Sequence, residues 1–195
     1  MMIEDEPKGT TPLDPDETNG LLLTHITTRE ELNFWEQQNI DEAEEWAFGR
    51  RHSNILSQSF VCRLHKRMLC DVWEWAGRFR TNQKNIGIDP WQISTELGQL
   101  NGDVQTWIGH GTYSPDEIAV RFHHRLVQIH PFPNGNGRHA RLMTDLLLVQ
   151  TLHKPRFTWG QKNIIAPGET RENYIAALKA ADEFDFTPLL QFVRT

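Results

Sequence analysis

The stretch His130-Pro131-Phe132-Pro133-Asn134-Gly135-Asn136-Gly137-Arg138-His139-Ala140-Arg141 decides the fold, because it has to end one helix and start another within a few residues. Pro131 and Pro133 remove two backbone donors and disfavour the α conformation for the residue before each of them. We therefore expect the helix that runs up to Ile129 to break at His130. From Gly137 onward apolar residues recur at helical spacing, which predicts the next helix.

The turn between the two predicted helices has the composition of an anion site. Its two glycines let the main chain approach a ligand closely, and its two asparagines can hydrogen-bond their own backbone. The turn leads into a helix N-terminus, where N–H groups lack intrahelical acceptors and the helix dipole is positive. Phosphate is the ligand that such a turn suits best.

A histidine and two arginines flank this turn. Arg138 and Arg141 are three residues apart, so they are neighbours in the first turns of the helix and repel each other unless an anion lies nearby. Two interpretations stay open, contact with a phosphate or salt bridges to acids elsewhere in the chain. His130, at the corner, can be neutral near pH 7 and so suits the role of a general base.

Composition and charge limit the number of domains and the classes of partner that this chain can have. A chain of 195 residues with 38% hydrophobic residues predicts one domain with a sizeable core, and a net charge of −6 argues against nucleic acid as a non-specific partner. Cys62 and Cys70 lie about 12 Å apart along a predicted helix, too far to form a disulfide. Neither a membrane-spanning apolar run nor a signal peptide is visible in the sequence. We expect a cytoplasmic protein with free thiols.

The rest of the chain predicts an all-α domain. Proline and glycine are frequent in residues 1–26, which predicts an extended N-terminal arm, and residues 27–195 are expected to form a single helical domain. One helix of about twenty residues, or two with a break near Asn39, should follow Thr27 or Thr28. Further helix starts are predicted near Ser57, Pro90, Ser114, Gly137, Glu169 and Phe186. Residues 78–82 alternate in polarity, which favours a small β-hairpin.

The stretch from His130 to Arg141 resembles the signature of Fic-domain proteins, His-Pro-Phe-x-Asp/Glu-Gly-Asn-Gly-Arg-x-x-Arg, and matches it at all defined positions but one. Residues 75–80, Trp-Ala-Gly-Arg-Phe-Arg, are similar to the segment that leads into the flap hairpin of this family. The resemblance thus covers about residues 55–180 and implies a Fic-like helical bundle with one small β-hairpin flap. Residues 11–51 also resemble the Fic subgroup named mobile mystery protein B.

This resemblance implies a protein adenylyltransferase, which moves AMP from ATP to a Ser, Thr or Tyr hydroxyl of a target protein. His130 would be the general base, and Phe132 would fix the loop from the core. The implied phosphate-binding residues are Gly135, Asn136, Gly137, Arg138 and Arg141. Asn134 stands where the family has the carboxylate that holds Mg²⁺ or Mn²⁺.

Asn134 leaves other activities open. An amide oxygen carries no charge, whereas Mg²⁺ is normally held by one or two carboxylates together with substrate phosphates, so we expect weaker metal binding and slower transfer. The Doc branch of the superfamily also has Asn here and transfers the γ-phosphate, but it has Lys where this chain has Gly137. AMP transfer ranks first. Kinase-like phosphoryl or other nucleotide transfer, and a catalytically silent nucleotide-binding regulatory module, are the alternatives.

The resemblance also implies partners. The flap would dock an extended segment of the target through main-chain bonds; its residues are Phe79, Arg80, Thr81, Asn82, Gln83, Lys84, Asn85, Ile86, Gly87 and Ile88. Thr27 and Glu31 match part of an inhibitory pattern of the family, although a helix start explains both residues equally well. A small helix-turn-helix protein is an implied partner. We expect no membrane contact and no direct binding of nucleic acid.

Overall fold

The computed structural model describes residues 14–160 and 168–195. Helices make up most of this part of the chain, and its one β contact is an isolated bridge between Leu21 and Trp73. The helices are α1 (Pro15–Thr18), α2 (Arg29–Phe48), α3 (Gln58–Leu69), α4 (Ile93–His110), α5 (Pro115–Ile129), α6 (Asn136–Leu146), α7 (Glu169–Asp182) and α8 (Thr187–Phe192). A 3₁₀ turn, Pro90–Gln92, precedes α4, and α6 continues as a π-helical turn, Leu147–Thr151. The all-α prediction is confirmed.

Side-chain caps explain where the helices begin. The Ser57 and Ser114 hydroxyls accept hydrogen bonds from N–H groups of the first turns of α3 and α5. Thr28 caps α2 in the same way, and the Glu31 carboxylate accepts from the Thr28 N–H, which completes a capping box. The α2 helix runs unbroken through Asn39, so the prediction of one long helix is confirmed over that of two.

The core sits between α2, α3, α5 and α6. Helix α2 packs on α3, α5 packs on both α4 and α6, and α7 packs on α8. The fully buried residues include Phe60, Leu64, Met68, Leu126, Ile129, Phe132 and Met143. Because α5 and α6 lie in this core and the stretch from His130 joins them, the loop between them is anchored from below by packed side chains.

The N-terminal arm predicted over residues 1–26 lies partly within the described residues. Residues 1–13 lie outside the described residues, whereas residues 14–26 are folded onto the body of the domain. The Leu22 N–H donates to the Val72 oxygen (2.9 Å), and the Glu74 N–H donates to the Gly20 oxygen (2.8 Å). The described part of the arm therefore consists of the short helix α1 and a segment that backbone hydrogen bonds attach to residues 72–74.

The predicted β-hairpin flap is absent from the described residues, in which residues 78–89 contain no strand. The guanidinium of Arg80 holds the segment together instead. It donates from Nη1 to the Asn82 oxygen (2.9 Å), and its Nη2 contacts the Ile88 oxygen on the returning side. The buried side chain of Arg80 thus connects the two ends of the segment, whereas a hairpin would connect them by main-chain hydrogen bonds.

The state of the cysteines and the polarity of the helices can also be read from the fold. Cys62 and Cys70 are free thiols, as their spacing predicts. Within residues 14–160 and 168–195, every helix is too short or too polar to cross a membrane.

Candidate active site

His130 lies at the corner between α5 and the following loop. It has left-handed backbone angles (φ 52°, ψ 60°), which a residue with a side chain adopts at a cost of about 1 kcal/mol. Its N–H donates to the Leu126 oxygen (3.2 Å), and its own oxygen accepts from Arg80 Nε (2.6 Å). The Arg80 N–H also donates to the Pro131 oxygen (2.9 Å). Arg80 therefore holds the backbone of His130 and Pro131 in place at the end of α5.

The His130 imidazole is neutral at pH 7. Burial, together with the positive charges of Arg80 and Lys84, lowers its pKa to about 4. Its Nδ1 lies 3.3 Å from the Val127 oxygen, and because a carbonyl only accepts, Nδ1 carries the proton in this hydrogen bond. The lone pair is then on Nε2, as a general base requires.

The loop after His130 is held by its own side chains. The Asn136 carboxamide accepts from the Phe132 N–H (2.9 Å) and donates to the Phe132 oxygen (2.8 Å). Asn134 Oδ1 accepts from the Gly135 N–H (2.6 Å), and Gly135 has φ 76°. A Cβ on Gly135 would lie 2.9 Å from Leu69 Cδ1, so this position favours glycine on both counts.

These contacts refine the predicted anion nest. Because the Asn136 side chain is committed to Phe132, an anion would meet the main-chain N–H of Asn136 and those of Gly137 and Arg138 at the start of α6. The first helical N–H groups have no intrahelical acceptor. Phe132 is fully buried, as predicted.

Sequence reasoning missed His65, which supports the loop from α3. Its Nδ1 accepts from the Gly77 N–H (2.9 Å), so Nε2 carries the proton and donates to the Asn134 oxygen (3.0 Å). Its ring stacks on Phe132 with centroids 3.7 Å apart. Burial holds the pKa of His65 well below its usual value, so the ring is neutral and keeps this tautomer. A lone histidine on a helix carries no sequence signal for such a role.

The two motif arginines have different environments. Arg138 Nη1 donates to Glu36 Oε2 (2.6 Å), and the other Glu36 oxygen accepts from Trp73 Nε1 (2.7 Å). Arg141 is half-buried, with its guanidinium carbon 5.8 Å from the centroid of the Tyr174 ring, and its pKa is lowered chiefly by burial. Among the described residues, the motif arginine that forms a salt bridge is therefore Arg138, and Glu36 is its partner.

The predicted inhibitory contact of Glu31 is replaced by another arrangement. The Glu31 carboxylate is exposed and accepts from the N–H groups of Thr27 (2.9 Å) and Thr28 (3.1 Å), so it belongs to the capping box of α2. In the described part of the chain, the α2 carboxylate that reaches a motif arginine is that of Glu36.

A cavity of about 370 Å³ connects these groups. His130, the nest residues 134–137 and both motif arginines line one end of it. Three more cations, Arg29, Arg171 and Lys179, also line the cavity, whereas Asp182 is the one acid on its walls in the described residues. A cavity with five cations in a protein of net charge −6 favours an anionic ligand with several charges.

The cavity extends along α7 away from the nest. Its α7 wall consists of Arg171, Tyr174, Ile175, Leu178, Lys179 and Asp182, which lie on one helix face and span about 16 Å. At the far end Asp182 Oδ1 lies 2.9 Å from both His124 Nε2 and Gln128 Nε2. The groove therefore has a cationic end at the nest and a smaller polar end on α5 and α7.

The flap covers the His130 end. Gly87 has φ 113°, and a Cβ there would lie 2.6 Å from Arg80 Nη2 and 2.7 Å from His130 Cβ. Ile86, next to it, lines the cavity. The Arg80 and Lys84 side chains are 2% and 3% exposed, so they serve the internal structure of the flap, and only its other residues can present side chains to a target.

The histidine pair on α5 is not arranged as a metal site. His123 Nε2 lies 2.8 Å from the Tyr174 hydroxyl, and His124 contacts Asp182. Within residues 14–160 and 168–195, no three His, Cys, Asp or Glu side chains lie close enough together to hold a metal ion.

Comparison with known proteins shows the family of this chain. Residues 55–148 match the sequence model described as the Fic/DOC family. The chain is also 34% identical over 150 residues to a protein adenylyltransferase, fic-1, of Caenorhabditis elegans. The chain belongs to the Fic/DOC family. The match to fic-1 covers 74% of this chain and 27% of the relative, and a match to protein adenylyltransferase Fic of Drosophila melanogaster, 33% identical, covers 68% and 26%.

Solved structures agree with the Fic fold. The structure of C. elegans Fic-1 (residues 134–508) aligns with a TM-score of 0.65 at 27% identity and covers 90% of this chain and 51% of that one. BepC of Bartonella tribocorum, solved with bound AMPPNP, aligns with a TM-score of 0.68 at 16% identity over 93% and 97% of the two chains. The present chain spans about a quarter of the length of the curated Fic relatives it matches.

Proposed function

We propose that this Fic domain is a protein adenylyltransferase that moves AMP from ATP to a Ser, Thr or Tyr hydroxyl of a target protein. One observation supports this most strongly, the cavity that joins a neutral His130 to a glycine nest and several cations. These are the parts that nucleotide transfer needs, since catalysis of such transfer consists largely of positioning and charge stabilisation.

ATP would bind with its phosphates at the nest. The N–H groups at the start of α6 would donate to phosphate oxygens, and Arg141 would donate to them from the cavity wall. Arg138 would do so with the part of its guanidinium that does not face Glu36. Gly137 leaves room for this, because a Cβ there would meet no atom closer than Arg141 Nη1, at 3.8 Å.

The base would lie toward the far end of the groove. Between His124 and His130 helix α5 rises about 9 Å, which is comparable to the distance from an α-phosphate to the outer edge of a purine. The carboxylate of Asp182 is an acceptor, so it favours a base whose exposed edge donates, such as the amino edge of adenine. This placement makes Asp182 the residue that would discriminate between nucleotides.

His130 would remove the proton from the target hydroxyl. In the ligand-free pocket its pKa of about 4 makes it a weak base, because burial, together with the charges of Arg80 and Lys84, disfavours the imidazolium. Bound phosphates bring negative charge to the same pocket and would raise this pKa toward neutrality. The base would therefore become effective when the nucleotide is in place.

Asn134 fits a metal ion poorly but does not prevent its binding. Asn134 Oδ1 is an amide oxygen, which accepts from the Gly135 N–H and could supply one neutral oxygen ligand to Mg²⁺ or Mn²⁺. The remaining ligands would have to be phosphate oxygens and water. Such an ion would neutralise phosphate charge during transfer.

The same family resemblance supports two partner proteins, a target and a regulator. The flap would hold an extended segment of the target near His130, and the small helix-turn-helix protein would be a regulatory partner of this subgroup.

Labelled ATP separates the candidate activities. With Mg²⁺ or Mn²⁺ present, we expect label on protein from α-labelled ATP and its loss in His130→Ala. Label from γ-labelled ATP alone would indicate phosphoryl transfer, which Asn134 favours by its likeness to the Doc branch. ATP binding without transfer would indicate a silent regulatory module. Full α-label incorporation by His130→Ala would refute the proposed base.

A further inference from the structure

The flap depends on the N-terminal arm for its position. It has no main-chain ladder of its own, and two buried cations hold it at two places, Arg80 against the His130 corner and Lys84 against the arm. We call residues 14–22 the strap. The Lys84 ammonium pairs with Asp14 Oδ2 (2.9 Å) and with the Glu17 carboxylate, both of which belong to the strap.

Burial makes the Lys84 contact specific. Lysine normally extends its ammonium into water, and burying it requires nearby anions to offset the loss of hydration and of side-chain entropy. Lys84 is nevertheless almost fully buried, and Asp14 also accepts from Asn82 Nδ2 (3.3 Å) on the same flap. The flap can therefore move away only if the strap moves with it or the ion pairs break.

The strap is anchored independently of the flap. The strap forms backbone hydrogen bonds with residues 72–74. In addition, the main-chain oxygen of Glu17 accepts from Trp75 Nε1 (3.0 Å). A Cβ on Gly20 would lie 2.8 Å from Trp75 Cδ1, which shows how closely the two segments approach. The adjacent Trp73 is stacked on Trp75 and bonds Glu36 on α2. The strap thus connects the flap to the core.

We infer that the strap fixes the flap over His130 and that Lys84 is the positioning residue through which it acts. The inference deepens the proposed function, because it concerns the segment that would dock the target. Ile86, two residues after Lys84, lines the cavity, so release of Lys84 would change both the docking edge and the cavity wall.

Hydrogen exchange of the full chain tests this inference. Lys84→Met keeps most of the apolar stem and removes the ammonium. We expect the Arg80 amide, which donates to the Pro131 oxygen and so reports on the flap, to exchange about tenfold faster, as local opening becomes easier. Amides of residues 130–141, inside the core, should exchange as in the wild type. Lys84→Arg should restore slow exchange, and the double variant Asp14→Asn with Glu17→Gln should reproduce the effect of Lys84→Met.

Glu96→Gln is the matched control. It removes the carboxylate that pairs with Arg125 between α4 and α5, and flap exchange should not change. Wild-type flap exchange in both Lys84→Met and the double variant would overturn the inference. Calorimetry on the wild type measures ATP binding independently of hydrogen exchange. If ATP did not bind, the proposed function would be refuted, while the exchange data would still test the role of the strap.

Discussion

Replacing Glu36 by Gln tests how the cavity holds Arg138. The Glu36 side chain is 4% exposed and that of Arg138 is 17% exposed, so their 2.6 Å contact is largely shielded from water. Glutamine can still accept from Trp73 Nε1, but its amide NH₂ would face the Arg138 donor. The substitution therefore removes one charge-assisted hydrogen bond and leaves a cation without its anion.

The expected loss is about 2 kcal/mol in the free energy of unfolding, since hydrogen bonds to charged groups contribute about 1.5–3 kcal/mol and Arg138 recovers some hydration through the cavity. For a domain of this size that corresponds to a fall in Tm of about 4–8 °C. Thermal and urea unfolding measure both quantities. Addition of ATP should raise the Tm of Glu36→Gln by more than that of the wild type, because its phosphates replace the missing anion.

Glu44→Gln is the control on the same helix. Glu44 also pairs with an arginine, Arg156, at 2.5 Å, but the two side chains are 38% and 41% exposed. Exposed pairs contribute at most about 1 kcal/mol, so this variant should be nearly as stable as the wild type. Equal stability of Glu36→Gln and Glu44→Gln would refute the argument that burial gives the Arg138 pair its strength.

Three further predictions concern other groups. Asn134→Asp adds an anionic oxygen ligand and should raise the rate of α-label transfer at limiting Mg²⁺; an unchanged rate would exclude the metal argument. Asp182→Ala should reduce the preference for ATP over UTP by about tenfold in competition binding, and an unaltered ratio would mean that the base lies elsewhere. His139, whose Nε2 lies 3.1 Å from the Val61 oxygen, has its pKa lowered to about 3 by burial, so the unfolded chain binds more protons at mildly acid pH. Its contribution to stability should be complete above about pH 6.5 and fall as pH decreases toward 3, and urea titrations of His139→Gln should show a shallower pH slope than the wild type.

Short-range features were predictable because they depend on neighbouring residues. The prolines after His130 end α5, Gly135 lies in a turn as its composition predicts, and the serine and threonine caps start their helices. The Asn136 side chain marks the limit of such reasoning. Its residue type fits a turn, but only the folded loop shows that its carboxamide bonds Phe132 and leaves the anion contacts to the main chain.

Long-range partners carried no signal in the sequence. Glu36 and Arg138 are 102 residues apart, and His65 and Asn134 are 69 apart, so their pairing depends on how α2, α3 and α6 pack. The flap was mispredicted for a related reason. Alternating polarity favours a hairpin locally, but the buried guanidinium of Arg80 satisfies carbonyls on both arms and so replaces the ladder.

The sequence by itself determined the helices, the break at His130 and the glycine-containing turn, because proline, glycine and capping side chains act within a few residues of their own position. The tertiary structure alone decided which acid meets Arg138, what supports Asn134 from below, and that the strap holds the flap. These contacts form between segments distant in the chain, and burial gives them their strength by removing the competing water.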